Sequence, residues 1–185
     1  QAQSGVVNIT TRSGSEDFHF GLQAKTDNLG GWAETYDETY ATAYASGAVP
    51  GFHQLMPGSV TFFLSSNTTM TNTAYNNHRT REDLDIFGLT IQEKQDNTGN
   101  LNGKIDWNLN QSLNFSFAYH GNFKKWSSFD WSWINYPDNK ASSRNSSENF
   151  NFKINHTLSQ STYYNLNIGY LDVHSETNLD DTKPY

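Results

Sequence analysis

Five aromatic side chains crowd the stretch KKWSSFDWSWINY at residues 124–136: Trp126, Phe129, Trp131, Trp133 and Tyr136. Aromatics alternating with small polar residues suit stacking on sugar rings or holding a peptide, because large flat side chains supply contact area at binding sites. The plainer reading is that they anchor the loop at a membrane interface or pack against adjacent loops. Asp172, Glu176, Asp180 and Asp181 offer oxygens of the kind that bind Ca²⁺, but they lack the fixed spacing of a calcium loop and read as a solvated segment. Six histidines, His19, His53, His78, His120, His156 and His174, are scattered without a pair at ligand spacing, so a metal site is not expected. No phosphate loop, nucleophile elbow or paired-carboxylate site stands out. Neither catalysis nor a cofactor is expected.

The composition limits which elements could position these groups. Only 35% of the 185 residues are of hydrophobic type, mean hydropathy is -0.75, and 15% are Phe, Trp or Tyr. A conventional two-layer core would be thinly supplied, while the aromatic content argues against disorder. Cysteine is absent, which removes disulfides, thiolate metal sites and Cys nucleophiles. A formal charge of -7 argues against a nucleic-acid partner, which would need a basic face. No stretch approaches the roughly 18 apolar residues of a membrane-spanning helix, and no secretory leader is visible at Gln1.

Alternation of apolar and polar residues is the strongest local signal. In GKIDWNLNQSLNFSFAYHG, residues 103–121, a three-residue turn at Asn110-Gln111-Ser112 sets Leu109 opposite Leu113, Trp107 opposite Phe115, Ile105 opposite Phe117 and Gly103 opposite Tyr119. A two-residue turn would send the two apolar sets to opposite faces, which the period of two forbids if one face is greasy. A second hairpin, turning at Ser159-Gln160-Ser161, pairs Leu158 with Thr162, His156 with Tyr164, Ile154 with Leu166, Phe152 with Ile168 and Phe150 with Tyr170. Its opposite face is rich in Asn. Between the hairpins, residues 122–148 show no strand period and read as a long loop. FHFGLQAK at 18–25 and SVTFFLSS at 59–66 read as earlier strands, with Phe63 breaking the alternation of the second. Trp32, Tyr36, Tyr40 and Tyr44 recur every fourth residue, so Asp27–Pro57 reads as a loop with one short element of helical spacing. Residues 71–97 are polar, with LDIFGLTI as a brief strand.

A greasy sheet face is buried by a second sheet, by helices or by lipid. Helices are not evident, and sandwich strands run to roughly 5 or 6 residues. The two clear hairpins have about ten residues per strand, the length a tilted strand needs to cross a bilayer. Short turns at one end, long loops at the other and aromatics at Tyr119, Tyr170 and Trp126 agree with an outer-membrane barrel. Ile105, Trp107, Phe115, Phe117, Phe152, Ile154, Leu166 and Ile168 are the expected lipid-facing residues. About seven strands are readable, too few to close a barrel alone, because open edges in hydrocarbon leave backbone groups unpaired. The expected fold is therefore all-β: part of an antiparallel transmembrane β-barrel.

GVVNITTRSG at residues 5–14 resembles the plug-to-barrel junction of the TonB-dependent outer-membrane receptors, commonly of the form GVINIVTKSG, and EDFHFGLQ follows where the first barrel strand of that family would begin. The two hairpins are similar to barrel hairpins of its large members, particularly those carrying an additional carboxypeptidase-regulatory-like domain. The resemblance implies that residues 1–14 end the plug domain and that 15–185 form roughly the first third of a barrel with long extracellular loops. It also implies a Gram-negative outer membrane, a solute bound at the cell surface, and import driven by TonB through a segment N-terminal to this chain. Lipid, lipopolysaccharide and a surface lipoprotein or other outer-membrane subunits are the implied partners. The alternatives are a passive porin-like barrel and a secreted glycan-binding β-sandwich.

Overall fold

The computed structural model describes residues 12–28, 35–52, 56–72, 82–87, 89–127, 131–133, 135 and 141–178. Residues 5–11 of the junction motif, and Asp180 and Asp181, lie outside them. The described residues form an all-β chain. Seven strands make one antiparallel sheet in the order β1 (His19–Thr26), β2 (Thr39–Ala48), β3 (Ser59–Thr71), β6 (Asp96–Asn108), β7 (Leu113–Ser127), β8 (Ser142–Ser159) and β9 (Thr162–Asn178). Between β3 and β6 sits a separate two-stranded hairpin, β4 (Glu82–Ile86) and β5 (Leu89–Lys94). Among the described residues the large sheet is unclosed: β1 and β9 each pair on one side only.

The first hairpin has the expected register. Trp107 pairs with Phe115, Ile105 with Phe117 and Gly103 with Tyr119, and Leu109 N–H donates to the Leu113 carbonyl at 3.1 Å. The three-residue turn is held by Asn110, whose Oδ1 accepts from the backbone N–H groups of Ser112 at 2.8 Å and Leu113 at 2.9 Å. An Asn side chain thereby imitates a backbone turn, which is why this residue type starts tight connections.

The second hairpin corrects the expected turn. His156–Tyr164, Ile154–Leu166, Phe152–Ile168 and Phe150–Tyr170 pair as expected, but Ser159 rather than Leu158 pairs with Thr162, with a register shift between Thr157 and Ser159. Gln160 and Ser161 form a two-residue turn, and Leu158 is the extra residue of a bulge. A bulge adds one residue to one strand, so turn and bulge together preserve the parity of a three-residue turn.

Three other expectations change. Tyr40 and Tyr44 lie on a strand, β2, not on a helical element; a spacing of four is also a multiple of two, so it equally marks one face of a strand. Residues 122–148 are not all loop, because β7 and β8 stay paired out to Ser127 and Ser142. These strands therefore have 15 and 18 residues, longer than the ten or so expected. LDIFGLTI supplies most of a hairpin, β4 with β5, rather than one brief strand.

Pro57 and Gly58, which lead into β3, lie against the end of β6 at the first hairpin. Gly58 stands at φ +94°, and a Cβ there would lie 2.1 Å from the Asn108 carbonyl oxygen; Gly51, at φ +74°, would meet nothing within 4 Å. Both conformations are disfavoured for side-chain-bearing residues, but only Gly58 also collides with backbone. Gly51→Ala is therefore expected to cost about 1 kcal/mol, the strain alone, and Gly58→Ala clearly more. Denaturant midpoints of the two variants measure the difference, and equal losses would contradict the close approach.

Candidate functional site

The eight residues expected to face lipid occupy two adjacent rows on one face of the sheet. Trp107, Phe115, Ile154 and Leu166 are successive cross-strand neighbours, and Ile105, Phe117, Phe152 and Ile168 form the next row. Rings approach within and between these rows: Trp107 stacks on Phe115 with centroids 5.2 Å apart, and Phe115 lies 6.5 Å from Phe152 of the next row. Such cross-strand aromatic pairs stabilise a sheet whatever covers it. Cover from protein is sparse. Ile105 is 48% exposed, Leu166 45% and Ile168 55%, and Val60 and Phe123 are the only buried hydrophobic residues among those described. The same face continues through Phe18, just before β1, and through Phe20 and Leu22 on it, all well exposed.

Aromatics with polar tips mark both limits of this apolar band. At the turn end, Trp107 Nε1–H donates to the Pro57 carbonyl at 3.1 Å, and His156 Nδ1 lies 3.0 Å from Tyr164 Oη. Toward the loop end, Tyr119 and Phe150 have centroids 4.9 Å apart, Phe150 and Tyr170 6.3 Å, and Tyr119 Oη donates to Glu148 Oε2 at 2.9 Å. Beyond that row the face changes character: Asp172, His174, Glu176 and Arg144 follow on the same side of β8 and β9. Tyr119 and Tyr170 thus lie mid-strand, at the edge of the apolar band rather than at the strand ends.

The opposite face is built from amides. Asn100 Nδ2 donates to Asn67 Oδ1 at 2.8 Å and Asn122 Nδ2 to Asn100 Oδ1 at 2.6 Å, a ladder across β3, β6 and β7. Asn114 donates to Asn108 at 3.0 Å, and His120 contacts Asn102. An Asn both donates and accepts, so a row of them satisfies itself without charge. The principal ion pair amid the amides is Lys104 with Asp106 at 3.2 Å. Lys104 Nζ also donates to Ser13 Oγ at 2.6 Å, and Gly14 sits where a Cβ would strike the Phe62 backbone, so the chain enters β1 across this polar face.

The loop-end aromatics are only partly brought together. Trp126 lies on β7 rather than in a loop, on the polar face, with Lys124 Nζ 5.1 Å from its ring centroid and Lys124 paired to Asp96 at 3.0 Å. Trp131 and Trp133 fall in a three-residue 3-10 helix, and Trp131 is 65% exposed. Phe129 and Tyr136 lie outside the described residues. Asp172 and Glu176 lie on β9 two rows apart, and Glu176 contacts His174 at 3.3 Å. No group of three His, Asp or Glu among the described residues is arranged to hold a metal ion, and no helix among them is long and apolar enough to cross a membrane, which says nothing of strands.

Sequence reasoning missed a polar hub at the loop end. Asp37, at φ +51°, receives Asn28 Nδ2 at 3.0 Å and Asn72 Nδ2 at 3.2 Å and pairs with Lys94 at 3.2 Å; Lys94 also donates to the Asp37 carbonyl and to Thr39 Oγ1. Asp27 accepts from the N–H groups of Tyr36 and Glu38. These groups tie the β1–β2 connection to the base of the β4–β5 hairpin. The partners are 57 residues apart, beyond any local pattern.

Comparison of the chain with family models, with curated proteins and with solved structures finds no match.

Lys94→Met removes the cation that faces Asp37 while keeping the stem length. The carboxylate retains its two amide donors, so the expected loss is local, about 1 kcal/mol. Hydrogen exchange at Asn72 and Glu38 should accelerate while exchange in β7 and β8 stays unchanged. Exchange unaltered at all four places would show that the hub carries no stability.

Proposed function

We propose that this chain is part of a TonB-dependent outer-membrane receptor, comprising the end of its plug domain and the first strands of its barrel. It binds a solute at the cell surface and imports it with energy relayed by TonB. The observation that carries the membrane reading is the uncovered apolar face, flanked by aromatics at both limits and backed by an amide-lined face. A bilayer covers the first and water or plug the second.

The slant of the band supports strands that cross obliquely. On β9 the apolar run ends at Tyr170, whose row reaches β1 at Phe20 through Phe150, Tyr119, Gly103, Leu64 and Ala45. On β1 the run continues to Ala24, four residues further. At the turn end it starts at Tyr164 on β9 and, just before β1, at Phe18 beside Gly47, whose row meets β9 at Ile168, again four residues on. With about 3.3 Å rise per residue and about 4.8 Å between strands, that drift over six strand steps is a tilt of about 25°. Strands in membrane barrels are likewise oblique, tilted by roughly 35–45°.

The receptor reading rests on GVVNITTRSG, and the entry of Ser13 and Gly14 across the polar face suits a chain emerging from a plug. The open edges of β1 and β9 call for further strands, from the same polypeptide or from another subunit. A passive porin shares the sheet but not the TonB dependence. A secreted sandwich would need a second layer over the apolar face, where the described residues provide only the β4–β5 hairpin.

This chain has no cysteine, so single nitroxide labels report one site each once any cysteine elsewhere in the full polypeptide is replaced. Labels at positions 164, 166, 168 and 170 of the full polypeptide in phosphatidylcholine vesicles should relax faster with oxygen, and those at 165 and 167 with a water-soluble nickel complex. Fast nickel relaxation at all six positions would end the membrane reading. Uptake that persists undiminished without TonB would favour the porin.

A further inference from the structure

The β4–β5 hairpin does not extend away from the sheet. Its base is pinned at Lys94 by Asp37 and Thr39, and its tip, Phe87, returns to the apolar face, with its ring centroid 6.1 Å from both Tyr119 and Phe123. Phe123 is 7% exposed in consequence of this cover. The seat is made by Gly121: a Cβ there would lie 2.4 Å from Tyr119 Oη and 2.8 Å from Phe123 Cε2. Tyr119 therefore lies flat across a glycine, and Phe87 rests beside it.

Two features of Phe87 are costly unless the tip has a task. It is 71% exposed in spite of these ring contacts. It also stands at φ +49°, a conformation that bulky residues rarely adopt and that costs on the order of 1 kcal/mol or more. A hairpin tip of this kind ordinarily takes Asn or Asp at no such cost.

The location supplies the task. On β8 and β9 the apolar residues of this face end at Phe150 and Tyr170, with Glu148 and Asp172 next on the same side and Arg144 further out, while on β7 the apolar set extends past Tyr119 to Phe123. Phe87 is thus at the line where the apolar band gives way to charge. Trp and Tyr are enriched at that depth of a bilayer, and Phe is among the apolar residues that interfacial segments bury at the boundary of headgroups and acyl chains. We propose that the β4–β5 hairpin is a membrane-interface anchor, its Phe87 ring inserted among the lipids of the outer leaflet beside Tyr119. The inference rests on the membrane reading above and adds a contact that the strands alone do not make. The hairpin fixes the height of the sheet in the bilayer, and through Lys94 and Asp37 it ties the loop-end connections to that height.

The test uses the full polypeptide in phosphatidylcholine vesicles, with nitroxide labels on Phe87→Cys, Ile168→Cys and Thr177→Cys in separate samples. The ratio of oxygen to nickel relaxation at position 87 should be several-fold above that at 177 and below that at 168. A second variant, Phe87→Trp, keeps an aromatic tip, and its added fluorescence should be quenched by lipids brominated near the headgroup. If position 168 reports hydrocarbon while position 87 matches 177 and the new Trp is not quenched, the anchor is wrong and the membrane reading stands. If position 168 is itself in water, both fail.

Discussion

Backbone pairing that keeps one register from His19 to Asn178 determines which side chains share a face, and every other feature of the molecule follows from it. A slip of one residue between any two strands would move an entire apolar set to the amide side. The only register shift in the seven-strand sheet, at Leu158, lies beside a turn and beyond the apolar rows, where it restores parity instead of breaking it. Asn110 does the corresponding work at the other tight turn by fixing a three-residue connection. The two hairpins reach the same face assignment by different local means.

What the sequence made legible was parity. Trp107, Phe115, Phe152 and Ile168 alternate with polar residues so strongly that the order of residues alone assigns each hairpin one apolar face and the partners within it; the pairing of β7 with β8 was not legible. Strand ends were not legible for a physical reason. Beyond Tyr119 on β7 and Phe150 on β8 most residues of both faces are polar, so alternation loses its contrast although the backbone stays paired, and on β9 the apolar residues Leu171 and Val173 change to the opposite face. The tyrosines of β2 misled because helix and strand both place residues i and i+4 on one side. The Asp37–Lys94 hub and the seating of Phe87 over Gly121 join segments far apart in sequence, and no periodicity announces such contacts.

The sheet also inverts the usual relation between burial and polarity. Its aromatic residues are among its more exposed, whereas Asn97 and Gln95 are nearly or fully enclosed where β6 begins beneath the β4–β5 hairpin. Asn97 Nδ2 donates to the Lys94 carbonyl at 2.8 Å, and the Gln95 carbonyl accepts from Ser127 N–H at 3.0 Å. Cohesion at the loop end therefore comes from hydrogen bonds, and cohesion at the turn end from cross-strand ring contacts. Enclosure by protein strengthens the former, since a polar group without a partner is most costly where water is excluded.

The choice of asparagine for the polar face bears on what that face meets. Charged rows would hold water and repel a protein segment, unless each charge found a partner. Asparagine ladders such as Asn67–Asn100–Asn122 satisfy one another and still offer spare donors and acceptors. Water can fill those positions, and so can the backbone of a segment laid against them. Ser13 and Gly14 already lie there, one bonded to Lys104 and the other in backbone contact with β3. A face that accepts solvent and peptide on similar terms lets a covering segment leave without stranding buried charge. That is the physical property a plug-bearing lumen requires on the proposed reading, and it resides in the side chains of this sheet rather than in the plug.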